Sequence, residues 1–127
     1  MFPPVFQTLK ASTAVKNIVG TNPPRVYEFG HAPQRPDNLP LTDPYITWFD
    51  VSVAPENQLS GTPGTDRIGV QIDSWHQTLP GCKALAIAVR DACEGVAHMT
   101  QAFNQRDPDT HLYRVSQTFD WFVNRTY

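Results

Sequence analysis

Two cysteines are all the thiol this 127-residue sequence carries, too few for a disulfide framework. Cys82 and Cys93 fall in one expected helix. At the standard rise they are about 16 Å apart along its axis, beyond the reach of a disulfide. They read as small buried apolar residues rather than redox groups. No apolar run approaches the roughly 18 residues that suggest a membrane span. The opening MFPPVFQTLK has no basic stretch followed by an apolar core, so no signal peptide is expected and the protein reads as cytoplasmic when made. Neither sign of charge dominates: 10 Lys and Arg stand against 12 Asp and Glu, a formal net charge of −2. Without a basic stripe, gripping a duplex by its phosphates is not expected.

Patterns that carry chemistry are equally scarce. His31, His76, His98 and His111 form no HxH, HExxH or HxxxH pair, and no metal site is expected. There is no Walker A loop and no GxGxxG after a strand. GTPGT at 61–65 lacks the Lys and the following helix of a phosphate loop, and reads as a hairpin tip. No GxSxG nucleophile elbow occurs. Cys82 with His76 as its base would need an accessible thiol in an electropositive setting, and the expected helix register turns Cys82 toward the core. Asp107 and Asp109 flank Pro108; paired carboxylates can hold Mg²⁺, but DPDT is also ordinary turn sequence. No cofactor and no catalytic residue is assigned.

The length fits one domain, residues 1–127, with enough chain to bury a core. Apolar residues at 40% and charged residues at 17% exclude a disordered chain. Of 12 prolines, six lie between residues 23 and 44. Proline fixes φ and removes a donor, so HAPQRPDNLPLTDP reads as a stiffened loop over 30–44.

Periodicity supplies the elements. Residues 2–11 and TAVKNIVG, capped by Ser12 and ended by Gly20, read as two short helices. Arg25–Phe29 is a short strand. YITWFDVSV at 45–53 alternates, with Tyr45, Thr47, Phe49, Val51 and Val53 on one face and Trp48 on the other. After the loop at 54–66, DRIGVQIDSW puts Ile68, Val70 and Ile72 on one face and Arg67, Gln71 and Asp73 on the other. A helix is expected over 78–97, with Thr78 as N-cap, Pro80 in the first turn, and Leu85, Ala88, Val89, Ala92 and Val96 on its buried side. The ending reads as a hairpin through DPDT. Its returning strand turns Tyr113, Val115, Phe119, Trp121 and Val123 one way and Arg114, Ser116, Thr118 and Asp120 the other. The expected class is α+β: an antiparallel sheet of four to five strands, with a long helix and a short N-terminal helix on one face. Leu85, Val89, Ile68, Val70, Ile72, Val115 and Phe119 should form one core.

Trp48 and Trp75 fall on the strand faces with the more polar neighbours, which makes them candidates for a protein interface. The two long loops add reach: Arg35 and Asp37 on 30–44, Glu56 and Asp66 on 54–66.

STAVKNIVG, RVYEFG with its proline-rich loop, YITWFDVS, DRIGVQIDSW, CKALAIAVRDA and DPDTHLYRVSQTFDWFV run through most of the chain in this order. In order and pattern the sequence resembles the tail-completion family of long-tailed (siphovirus-type) bacteriophages, related in fold to lambda-type tail terminators. The resemblance implies a structural virion protein, built in the host cytoplasm. It implies a homohexameric ring that caps the tail tube, meets the tube protein and the head-connector or neck protein, and lets DNA pass through its lumen. No membrane and no sequence-specific nucleic acid is implied. The 54–66 loop is long here, so its contacts do not carry over. A head-closure or neck adaptor protein is the alternative at the same site. A small phage-encoded enzyme is a more distant one, against which the missing ligands and nucleophile count.

The non-enzymatic reading has a direct test. His76→Ala, Cys82→Ser and Asp107→Asn, each confirmed folded, should leave tail assembly intact. Loss of assembly in one of them, with measurable turnover by the wild type, would overturn it.

Overall fold

The computed structural model describes residues 3–21, 24–28, 43–55, 65–108 and 112–124. Two short helices open the chain, α1 (Val5–Lys10) and α2 (Thr13–Val19). Val5 and Leu9 are one turn apart on α1 and both are buried. Ser12 caps α2, its hydroxyl accepting the Val15 N–H at 3.3 Å. The helix stops at Gly20, whose φ of 89° suits a residue without a Cβ.

Three strands follow: β1 (Val26–Glu28), β2 (Tyr45–Pro55) and β3 (Thr65–His76). Helix α3 (Leu79–Cys93) leads into β4 (Ala97–Arg106) and β5 (Tyr113–Asn124). The strand order is β1-β2-β3-β5-β4. All pairs are antiparallel except β1 with β2. That exception departs from the expected all-antiparallel sheet. A parallel pair needs a long crossover, and the proline-rich segment from 29 to 44 is long enough to supply one. Arg25 pins the start of this unit, its guanidinium donating to the Pro44 carbonyl at 2.7 Å and the Ile18 carbonyl at 3.1 Å.

The alternation read from β3 and β5 holds. Ile68, Val70, Ile72, Phe119 and Trp121 lie under the helices in one cluster with Val5, Leu9, Val15, Val19, Leu85 and Val89. Two expectations fail. A register shift between Asp50 and Ser52 leaves Val51 exposed and brings Val53 opposite Ile68, so the single face expected for 45–53 breaks at a bulge. The core is also divided. Val115 packs in a smaller cluster with Cys82 and Ala86. Ser74 and Gln117 are buried on the same side of the sheet, and Gln117 donates its amide to the Ala86 carbonyl at 3.1 Å. Two polar side chains thus separate the apolar groups.

Helix α3 is shorter than expected. Its cap is as read, with the Thr78 hydroxyl accepting the Gly81 N–H at 3.2 Å. Its last residue is Cys93, however, because the chain must turn at Glu94–Val96 to enter β4. Val96 therefore stands exposed. Gly81 has a packing reason: a Cβ there would overlap the His76 ring. That ring is held by the Thr78 N–H, donated to Nδ1 at 3.0 Å.

Leu85 is fully buried in the main cluster, so Leu85→Ala should cost about 2–5 kcal/mol in urea unfolding. A loss near the ~0.5 kcal/mol of surface sites would remove it from the core. Gly81→Ala should cost about 1–3 kcal/mol by overpacking, and His76→Ala in the same chain should recover much of it.

Candidate functional site

The three helices sit on one side of the sheet, so the other side shows what the strands carry outward. Register brings Tyr45 of β2 opposite Trp75 of β3, and Trp75 opposite Arg114 of β5. The rings of Tyr45 and Trp75 stack, with centroids 5.6 Å apart and planes 9° from parallel. Tyr27 of β1 continues the row at 6.3 Å from Tyr45. Arg114 lies over the Trp75 ring at 5.5 Å and beside Phe103 of β4 at 5.9 Å, and donates to the Gln105 side chain at 3.2 Å. One row of aromatic and guanidinium groups thus crosses all five strands. Such offset-stacked and cation–π contacts are each worth about 0.5–1.5 kcal/mol.

A polar network runs beside this row. The Trp75 indole N–H donates to the Thr47 hydroxyl at 3.0 Å. Asp73 is 4% exposed and accepts from Ser116 at 2.6 Å and from Gln71 at 3.1 Å. A carboxylate so enclosed is held only where its lone pairs are met. Trp75 and Arg114 of the row, with Gln105, Asp107 and Pro108, line a cavity of about 110 Å³. This is too small for the substrate of a typical ligand pocket. Burial pushes the Tyr45 hydroxyl up to about 12, with the charge of Asp107 and the neighbouring Tyr27 adding to it.

The residues expected at an interface are scattered by the fold. Trp75 lies on the helix-free face, half-buried in the row just described. Trp48 is on the opposite face and belongs to the core. Its neighbour in register is Ile72, so a ring that reads as an outward anchor instead fills space under the helices. Asp66 lies in β3, opposite Pro55 and Val123. Arg35, Asp37 and Glu56 lie outside the described residues, as do the expectations for the 30–42 and 56–64 segments. Tyr45, Phe103 and Arg114 were not singled out from the sequence. Alternation gave Arg114 its face, but its stacking partners come from strand order.

The thiol assigned to the core is there. Cys82 is buried, its Sγ donating to the Ser74 carbonyl at 3.1 Å. Burial pushes this thiol up to about 11, against a backbone hydrogen bond from Val115 that pulls it down. Burial alone takes Cys93 up to about 12. Neither is an activated nucleophile. No helix among the described residues is long and apolar enough to cross a membrane.

A family model described as "Tail completion protein gp17" matches residues 3–124. A solved chain from a structure described as "Virion of native gene transfer agent (GTA) particle" is similar in fold. Its TM-score is 0.73 at 21% identity, covering 95% of this chain and 92% of that one. No curated protein is matched by this sequence.

The buried thiols and Tyr45 set an alkaline limit. Unfolded, these groups ionise from about pH 9 and about pH 10; folded, they hold their protons to about 11 or 12. The unfolded chain loses protons first, so this stability is complete below about pH 9 and falls as pH rises toward 12. The urea midpoint should decline through that window. In a Cys82→Ala/Cys93→Ala variant the onset should move to about pH 10, and a decline unchanged in this variant would contradict the assignment.

Proposed function

The chain belongs to the tail completion protein gp17 family, and from that premise we propose that it is the subunit of a ring that completes the phage tail tube and joins it to the head connector. It is a structural protein of the phage tail. The family match over residues 3–124 carries this reading. The physical features fit it. A ring built head to tail needs two different complementary surfaces on each copy, and this sheet ends in two unlike edges, β1 and β4. In this reading six copies encircle the tube end. One side of the ring meets the tube protein and the other meets the connector. DNA passes through the lumen without being read by sequence, which suits a chain of net charge −2 with no basic stripe.

Trp75 is the interface anchor we favour among the described residues, because a Tyr and an Arg already hold its ring in place and a rigid aromatic loses little entropy on docking. Arg35, Asp37 and Glu56, which the sequence puts on its two long loops, are further candidates for contact with a neighbouring subunit or the tube, whereas Asp66 is held within the sheet between Pro55 and Val123. Repetition of each contact around the ring would multiply its effect.

The test is complementation. Phage lacking this gene should give overlong or headless tails, and the purified protein added to tubes should bind their ends as six copies by native mass. Normal-length tails whose filled heads leak DNA would place the protein at head closure and overturn the tail-terminating role. Trp75→Ala, with folding confirmed by its melting curve, should lower the yield of joined particles at least tenfold.

A further inference from the structure

The helix layer stops short of one edge of the sheet. Helix α3 packs over β3 and β5, and every side chain of β4 from His98 to Arg106 is exposed. β4 is ten residues long and ends the sheet. Natural proteins blunt such edges with Pro, Lys, acidic side chains, short strands or bulges. AHMTQAFNQR has no Pro, Lys, Asp or Glu. Its one irregularity is the shift between Met99 and Gln101, beyond which Gln101–Arg106 pairs regularly with β5. Apolar surface also gathers here: Val96, Met99, Phe103 and Phe122 are between 36% and 53% exposed. A long, apolar-flanked edge whose one formal charge is Arg106 at its end is a template for another strand.

The opposite edge is its chemical complement. Glu28 ends β1, and Asp50 lies two residues beyond Glu28's partner Trp48 on β2. Among the described residues no cation pairs with either. Asp50 Oδ1 is buried with no hydrogen-bond donor, and burial followed by the charge of Glu28 raises this carboxyl above its ordinary value. Two uncompensated carboxylates on one edge are costly unless a cation arrives from outside. Arg106, at the end of β4, points to the helix side of the sheet by its register opposite Tyr113, whose ring it lies against at 5.4 Å. Glu28 and Asp50 are on that same side.

Resting on the ring reading above, we infer that β4 of each subunit docks against the β1 edge of the next copy of this chain, with Arg106 meeting the Glu28–Asp50 carboxylates. The joined sheets then continue from subunit to subunit, the helices staying on one face throughout. β1 has only three residues, so the shared backbone hydrogen bonds are few and side chains supply the rest: Phe103 and Met99 by burial, Arg106 by charge. Strands in closed sheets tilt, and edges meet staggered, which is how the end of β4 reaches Glu28.

The experiment combines edge blocking with a charge swap, read on tail tubes by native mass and on tail ends by electron microscopy. Phe103→Lys, Arg106→Glu and Glu28→Arg should each cut ring occupancy at least tenfold, with melting temperatures like that of the wild type. Arg106→Glu combined with Glu28→Arg should restore occupancy to within about threefold. Full rings from Phe103→Lys, or no restoration in the double variant, would overturn this assignment while leaving the ring intact as a reading. A wild type that occupies tail ends as single copies would overturn the ring itself and this inference with it.

Discussion

Strand β3 lies between β2 and β5 with Ile68, Val70 and Ile72 under the helices and Arg67, Gln71 and Asp73 on the other side. A slip of one residue would exchange the two sets and put all three branched side chains into water. Fixing this register fixes its neighbours: Phe119 must face Val70, Trp48 must face Ile72, and Ser116 must face Asp73. The helices follow, because the apolar stripes of α1, α2 and α3 are the remaining apolar surface able to cover that face. The two short helices at the N-terminus fill the side of the sheet that α3 does not reach.

The same register builds the helix-free face. Tyr45, Trp75 and Arg114 touch because they are directly opposed across three strands, and Phe103 joins them from a fourth. The Tyr45 ring is buried and the Trp75 ring half-buried, and Trp75 is held by stacking, a guanidinium and the hydrogen bond to Thr47. A surface so ordered before any partner arrives has little entropy left to lose on docking. The polar cut through the core, Ser74 and Gln117, has the opposite character, since Gln117 Oε1 and Ser74 Oγ are buried without partners. Unsatisfied polar atoms cost stability, and they divide what would otherwise be one apolar cluster into two.

In the ring reading proposed above, function is a matter of surfaces. A sheet whose helix cover ends before its last strand offers such a ring subunit an edge and an apolar flank at once. On the pairing inferred above, the carboxylates at one edge and the arginine at the other would give those surfaces direction. Direction is what separates a closed head-to-tail ring from a symmetric pair.

Much of this was open to reading along the chain. Period-two alternation located β3 and β5 and sorted their faces. Ser12, Gly20 and Thr78 marked helix ends, because capping chemistry is local. Helical spacing alone excluded a disulfide between Cys82 and Cys93, and the buried habit of free cysteine gave their place in the core. Three things were settled only in three dimensions. The bulge at Val51 shifts the pairing of β2 with β3, and a bulge leaves no mark in composition. The end of α3 at Cys93 depends on where β4 must begin, which the neighbouring strand β5 dictates. Trp48 and Trp75 carried the same outward signal in sequence, yet the helices cover one face of the sheet and not the other. Strand order and the placement of that cover are non-local packing choices, so only the tertiary structure could put one tryptophan in the core and the other on the surface.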